Sequence, residues 1–260
     1  MTMAGKTVII TGSTQGIGEA VARVCTERGA SVLVHGRNGD RGKRLVDELG
    51  RAAVFHRDEV EDPAAPKRIV KAALSAFGRI DAVVNNAALV ARDTIETVSA
   101  DAFDRVMAVN VRAPLLLVQA ALESLTATRG CVLNIGSVNG YCGEGNLLLY
   151  SVSKGALMTL SRNLGDHLHS QHRVRVNHLN VGWVLTESEK RHKIADGLPP
   201  DWHEKLPPSL APTGRILEPT EVAKIAAHWI GDETSSISGS IVDLEQYPVV
   251  GRVPTIESGG

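Results

Sequence analysis

A chain of 260 residues, 43% hydrophobic and 22% charged, holds enough apolar material for one large core, and no Pro/Gly/Ser-rich linker or composition break divides it. With 28 basic against 29 acidic side chains and no dense basic run, it lacks the electrostatic footprint of a nucleic-acid or membrane-surface binder. Apolar runs such as 114–118 fall short of the roughly 20 residues of a spanning helix, and a strand-like segment starts at Thr7, so no membrane passage and a cytoplasmic location are expected.

Short β-branched runs alternate with longer amphipathic stretches from end to end, the pattern of repeated βα units on a parallel sheet. The first run, 7–11, feeds Thr11-Gly12-Ser13-Thr14-Gln15-Gly16-Ile17-Gly18 and then a helical stretch, 19–28. Glycines there allow a tight turn and close backbone approach, and free amides at a helix start favour a pyrophosphate. Gly12, Ser13, Gln15, Gly16, Ile17 and Gly18 are therefore candidate dinucleotide-binding residues. An ordinary glycine turn is the alternative, and placement after the first strand of a βα series favours the dinucleotide.

The second run, 31–35, ends in Gly36-Arg37-Asn38, without a carboxylate to accept bonds from an adenine ribose. The third, 52–56, leads to Asp58 and Glu59; the fourth, 81–85, to Asn86-Ala87-Ala88. A long helix is expected over 99–127, the fifth strand over 131–135, a second long helix over 150–169 and the sixth strand over 174–179. Residues 186–212, with five prolines and weak periodicity, read as an irregular lid over the binding site. A helix is expected over 218–230, with Pro219 and Thr220 suiting its start, and the seventh strand over 240–244.

Tyrosine is a poor acid or base near neutral pH, because its ordinary pKa is about 10, and a nearby cation favours its phenolate. Tyr150 and Lys154 lie four residues apart, on one face of the expected helix. Such pairs also arise as ordinary structural neighbours. Ser137, just past the fifth strand, adds a hydroxyl at the end of a parallel sheet where active-site groups gather, able to donate to a substrate oxygen.

These residues, taken together, resemble the short-chain dehydrogenase/reductase family over nearly the whole chain. The glycine loop is similar to its T-G-x-x-x-G-x-G, and Asn85-Asn86-Ala87-Ala88 to its N-N-A-G. Asn110 falls where the family has a functional asparagine, and Ser137, Tyr150 and Lys154 match its serine and Y-x-x-x-K. The resemblance implies a single-domain α/β fold: a Rossmann-type doubly wound sheet of about seven parallel strands with helices on both faces. It implies an NAD(P)-dependent enzyme interconverting a carbonyl and a secondary alcohol, with Asn110, Ser137, Tyr150 and Lys154 catalytic. Asn110 would bind a water or backbone carbonyl in a proton route through Lys154.

By the same resemblance Asp58 and the residue after it hold adenine, although solvated loop charges are the other reading. Asn86, Ala87 and Ala88 line the cofactor, and Gly182, Val184 and Thr186 meet the nicotinamide through a P-G-x-x-x-T-like turn in which Val181 replaces proline. Arg37 resembles the family's mark of NADP use, favouring NADP(H) over NAD(H), against an arginine that stacks on adenine or faces solvent; Gln15, where many NADP-using relatives carry a basic residue, points the other way. Asn139 and Trp183 are candidate substrate contacts beside Ser137 and Tyr150. The substrate is a 3-oxo compound or a sugar- or polyol-like alcohol.

The relatives' D-G-G ending is replaced by Asp243-Leu244-Glu245, and a homotetramer is expected. Two rivals share the scaffold: a catalytically silent dinucleotide-binding regulator, and an epimerase with trapped cofactor. His167, His169, His172 and His178 read as a solvated helix end rather than a metal site, and the charge run 187–193 as a solvated lid face. Cys25, Cys131 and Cys142 have no metal-type spacing and are expected as reduced thiols, inert even where Cys142 nears the site.

Overall fold

All seven expected strands form in the computed structural model, which describes residues 2–141 and 143–249, so that Cys142 lies outside the described residues. β1 (Thr7–Ile10), β2 (Ser31–Gly36), β3 (Ala53–Arg57), β4 (Ala82–Asn85), β5 (Cys131–Ile135), β6 (Arg175–Val181) and β7 (Ile241–Leu244) make one parallel sheet in the order β3-β2-β1-β4-β5-β6-β7. The order reverses between β1 and β4, and a crevice opens past the strand ends at that point.

Strand periodicity divides the core into two layers. Val8, Ile10, Val32 and Val34 meet α1 (Gly16–Glu27), α2 (Gly39–Leu49) and α8 (Pro219–Trp229), while Ile9, Leu33, Val83 and Val132 meet the helices of the opposite face. Those are α3 (Ala65–Phe77), α5 (Ala113–Thr128) and α6 (Leu148–His172). Pro219 in the first turn of α8 and the Glu218–Glu221 capping box start that helix as expected.

The expected helix over 99–127 is one run with a fault in it: α4 (Ala100–Met107), a wide π turn at Ala108–Arg112, then α5. Pro114 has no amide for the carbonyl four residues back, that of Asn110, and the ladder widens there. By length and composition alone Ala100–Thr128 is apolar enough to span a bilayer, longer than the apolar pieces read from the sequence, and 44% of its most apolar window is buried inside the fold, as in a core helix.

The segment 186–212 departs from an irregular loop. α7 (Glu187–Ala195) forms there, started by Thr186, whose hydroxyl accepts from the Glu189 amide, and a short turn follows at Trp202–Glu204. Tertiary packing supplies what periodicity lacks, because Trp202 and Ala211 bury with Ile216 against Trp183.

A chain of buried hydrogen bonds crosses the sheet under the strand ends. Asn85 Nδ2 donates to Asn134 Oδ1 (2.7 Å), Asn134 Nδ2 to Ser161 Oγ (2.8 Å), and Ser161 Oγ meets His178 Nδ1 (2.8 Å). His178 Nε2 then meets Asn180 Oδ1 (2.9 Å), Asn180 Nδ2 donates to Asp243 Oδ1 (3.0 Å), and Tyr141 donates to the same oxygen (3.1 Å). His178 therefore belongs to the core and not to a solvated helix end, because β6 carries it inward.

Burial, and secondarily the Lys154 charge, lowers the His178 pKa to about 4; burial and neighbouring His56 do the same for His35. Both are neutral in the folded protein, whereas an unfolded chain protonates them below about 6.5. Their contribution to stability is thus fully present above that value and is lost as pH falls toward 4, each site costing up to about 1.4 kcal/mol per pH unit. Urea unfolding at pH 7 and pH 5 should show the midpoint dropping, with a smaller drop in His178→Asn; an unchanged wild-type midpoint would contradict the assignment.

Candidate active site

The glycine loop and the start of β4's loop are locked together. A Cβ on Gly12, whose φ is +64°, would sit 2.8 Å from the Ala87 Cα, so only glycine allows this approach. Asn86 Nδ2 donates to the Thr11 and Gly12 carbonyls, each at 3.0 Å, and the Thr11 hydroxyl accepts from the Asn86 and Ala87 amides. α2, α4 and α7 have side-chain caps, whereas no side chain caps α1. Its first-turn amides therefore face the crevice at the positive end of the helix, a fit for phosphate.

A cleft of about 310 Å³ occupies this crevice, of a size suited to a small cofactor. Of the expected set, Gly12, Gln15, Gly16, Ile17, Arg37, Asp58, Glu59, Asn86, Ala87, Ala88 and Thr186 line it. Ser13 lies buried behind the loop, its amide bonded to the His35 carbonyl, and Gly18 packs against Asn86. Gly182, Val184 and, of the catalytic pair also expected at the cofactor, Tyr150 and Lys154 do not line the cleft; Val184 is buried in a bridge to Leu217.

Asp58 is not a free loop charge. Arg68 grips it with two bonds (2.7 and 2.8 Å), and this holds its carboxyl well below the usual range. Sequence reading passed over His35, whose Nδ1 accepts from the Gly12 amide at 3.3 Å, and Arg41, whose guanidinium bonds Gln15 Oε1. Arg41 lies in the first turn of α2, four residues after Arg37, and this nearness in sequence was its only signal.

Ser137, Tyr150 and Lys154 come together past β5. The Ser137 hydroxyl lies near enough to the phenol to pull its pKa down, and Ser137 Oγ accepts from the Asn139 amide at 3.2 Å. Lys154 is 3% exposed; its Nζ lies 5.5 Å from the Tyr150 ring centre and donates to the Ile135 carbonyl at 2.7 Å. Burial lowers the Lys154 pKa to about 8. Burial also raises the Tyr150 phenol, against the Ser137 bond that pulls it down. Among the protein's own groups, burial outweighs the Ser137 hydroxyl in setting this direction.

Asn110 is 1% exposed in the π turn. Its side chain accepts from the Leu89 amide (2.8 Å) and donates to the Leu89 carbonyl (3.0 Å) and Ser153 Oγ (2.9 Å), and Ser153 Oγ donates to the Tyr150 carbonyl (2.7 Å). It bonds a backbone carbonyl, as expected, and ties the catalytic helix to the loop after β4.

Trp183 stacks on Trp202, ring centres 5.1 Å apart, and donates through Nε1 to Glu189 at 2.8 Å. The Lys193 ammonium lies over its ring. The α7 charge run is therefore not wholly a solvated face: one side of it packs on Trp183.

Comparison with known proteins agrees with this geometry. The short chain dehydrogenase family matches residues 6–196. An uncharacterised oxidoreductase of Thermotoga maritima is 34% identical over 94% of this chain and 98% of its own length. The meso-2,3-butanediol dehydrogenase of Serratia marcescens is 32% identical over 92% and 93%. The NADP-dependent (R)-specific alcohol dehydrogenase of Lentilactobacillus kefiri is 27% identical over 91% and 93%. By this family match and these relatives, the chain belongs to the short-chain dehydrogenase/reductase family of oxidoreductases.

Proposed function

We propose that this enzyme interconverts a carbonyl and a secondary alcohol with a nicotinamide cofactor, NADP(H) in preference to NAD(H). The observation that carries the reading is the Tyr150 phenol beside Ser137 and the buried Lys154 ammonium, past the end of β5, in the same sheet whose β1 and β4 ends frame the cleft. The free α1 amides would hold the pyrophosphate, Asp58 and Glu59 would flank the adenine, and the Gly182–Thr186 turn would meet the nicotinamide. Bound there, the cofactor supplies or accepts hydride.

The chain's own residues handle the proton. In reduction, Ser137 donates to the carbonyl oxygen and Tyr150, kept protonated by its burial, gives that oxygen its proton. The Lys154 cation then stabilises the tyrosinate left behind. Oxidation reverses each transfer. Asn110 serves by fixing the helix that presents Tyr150. The α7 segment closes one side as a lid, with Trp183, Asn139 and Ser137 toward a substrate that is a 3-oxo compound or a sugar- or polyol-like alcohol. The names of the Serratia and Lentilactobacillus relatives support a small secondary alcohol. Exposed Phe103, Leu115 and Val152 on α4, α5 and α6 support a homotetramer.

Three features support NADP(H). Arg37 is exposed at the cleft rim. Arg41 adds a second guanidinium through its bond to Gln15, so the basic group missing at position 15 is supplied from α2. A Cβ at Gly36 would lie 2.7 Å from Thr14, which leaves no room for the acidic side chain that would favour NAD.

Replacing Tyr150 by Phe should lower kcat by about two to four orders of magnitude and leave cofactor affinity intact, measured by NADPH titration and turnover on a ketone panel. Near-normal turnover would reject the mechanism. Because Lys154 loses its charge as pH rises through about 8, kcat for reduction should fall across that value, and a flat profile from pH 7 to 9 would argue against the role of its ammonium. Arg37→Ala should raise the KM for NADPH by about tenfold and change that for NADH little, reflecting one lost charge-assisted contact. Equal changes for both cofactors would remove Arg37 from the phosphate site.

A further inference from the structure

Two departures from the family pattern meet at one place in the fold. By the resemblance given above, Val181 stands in place of a proline before Gly182, and Leu244-Glu245, at the end of β7, in place of two glycines beyond the residues the family match covers. Glu245 turns back from the end of β7, and its Oε2 accepts from the Trp183 amide at 3.2 Å. A Cβ on Gly182 would lie 2.0 Å from that same oxygen, so the carboxylate fills the space that glycine leaves open.

The other carboxylate oxygen accepts from the Gln246 amide at 2.7 Å. Gln246 continues the brace to the far end of the lid segment: its Oε1 accepts from the Thr213 amide (3.1 Å) and hydroxyl (2.7 Å), and its Nε2 donates to the Arg215 carbonyl (2.6 Å). Main-chain bonds frame the same turn, from Gly182 to the Leu244 carbonyl (2.9 Å) and from Leu217 to the Trp183 carbonyl (3.1 Å). A proline would restrict the turn by locking one dihedral. Here a hydrogen bond from the Trp183 amide to the Glu245 carboxylate restricts it from outside.

We propose that Glu245, anchored through Gln246, is the positioning residue that sets the Gly182–Val184 turn against the nicotinamide half of the cofactor site, in the role left open by the missing proline. The inference rests on the function proposed above. It predicts an effect confined to one end of the cofactor, because Glu245 lies past β7 while the adenosine residues lie past β2 and β3.

The test titrates wild type and variants with NADPH and, separately, with ADP-ribose 2′-phosphate, which lacks the nicotinamide, and measures kcat alongside. Glu245→Ala should weaken NADPH binding and lower kcat, each by about tenfold, the scale of one charge-assisted hydrogen bond, and leave fragment binding unchanged. Glu245→Gln, which keeps an acceptor oxygen, should recover most of both. Gly182→Ala should impair the wild type and add less than about threefold on top of Glu245→Ala, since the obstructing oxygen is then gone.

Wild-type behaviour of Glu245→Ala, or equal weakening of NADPH and fragment, overturns the proposal. If Glu245→Ala does not fold, Glu245→Gln and Gly182→Ala decide: impaired NADPH binding with intact fragment binding in Gly182→Ala supports the brace, and unimpaired Gly182→Ala overturns it. A wild type that binds neither NADPH nor NADH overturns the functional reading itself, a result distinct from any variant's.

Discussion

The buried polar chain from Asn85 through Asn134, Ser161, His178 and Asn180 to Asp243 is the constraint on which the catalytic geometry depends. Asn85, Asn134, Ser161, His178 and Asn180 lose their water on folding, so each must find its partner or leave a costly orphan in the core, while Asp243 ends this polar chain at the exposed side of β7. Satisfying them together permits only one register of β4, β5, β6 and β7. Gly136 sits directly on this chain: a Cβ there would lie 1.9 Å from His178 Nε2, which is why the loop carrying Ser137 can settle so close to the strand ends. The same closeness lets Lys154 reach the Ile135 carbonyl from α6.

Charge in the site is governed by how little water reaches it. Lys154 is buried and donates to the Ile135 backbone carbonyl, with no carboxylate partner among the described residues, so its ammonium is held at a cost that lowers its pKa to about 8. The Tyr150 phenol faces the same desolvation and responds in the opposite direction, because its charged form is the anion. Both shifts favour neutral groups, and the two charged forms stabilise one another only when they occur together. A proton leaving Tyr150 therefore creates the partner that the buried lysine lacks.

Much of the site was legible because it is built from local chemistry. A glycine loop between a strand and a helix, a serine after a strand and a tyrosine four residues before a lysine each need only a few neighbouring residues to state their meaning. The phenol shift, the clamp of Asn110 on Leu89, the grip of Arg68 on Asp58 and the contact of Arg41 with Gln15 were not legible, because each depends on distances between segments remote in sequence or on solvent exclusion. α7 was missed for a related reason. Its side chains are mostly charged, and what holds it is the Thr186 cap and the packing of Trp183 on Trp202.

By itself the sequence determined the parallel α/β order, the position of the dinucleotide loop and the identity of the Ser137, Tyr150 and Lys154 cluster, since strand and helix periods and turn residues act over short range. Only the tertiary structure decided which of those groups carry a proton, which polar side chains are clamps, and that Glu245 and Gln246 reach back to the Gly182–Trp183 turn and the end of the lid. The physical reason is that burial and hydrogen bonding between distant segments exist only once the sheet has brought the strand ends together.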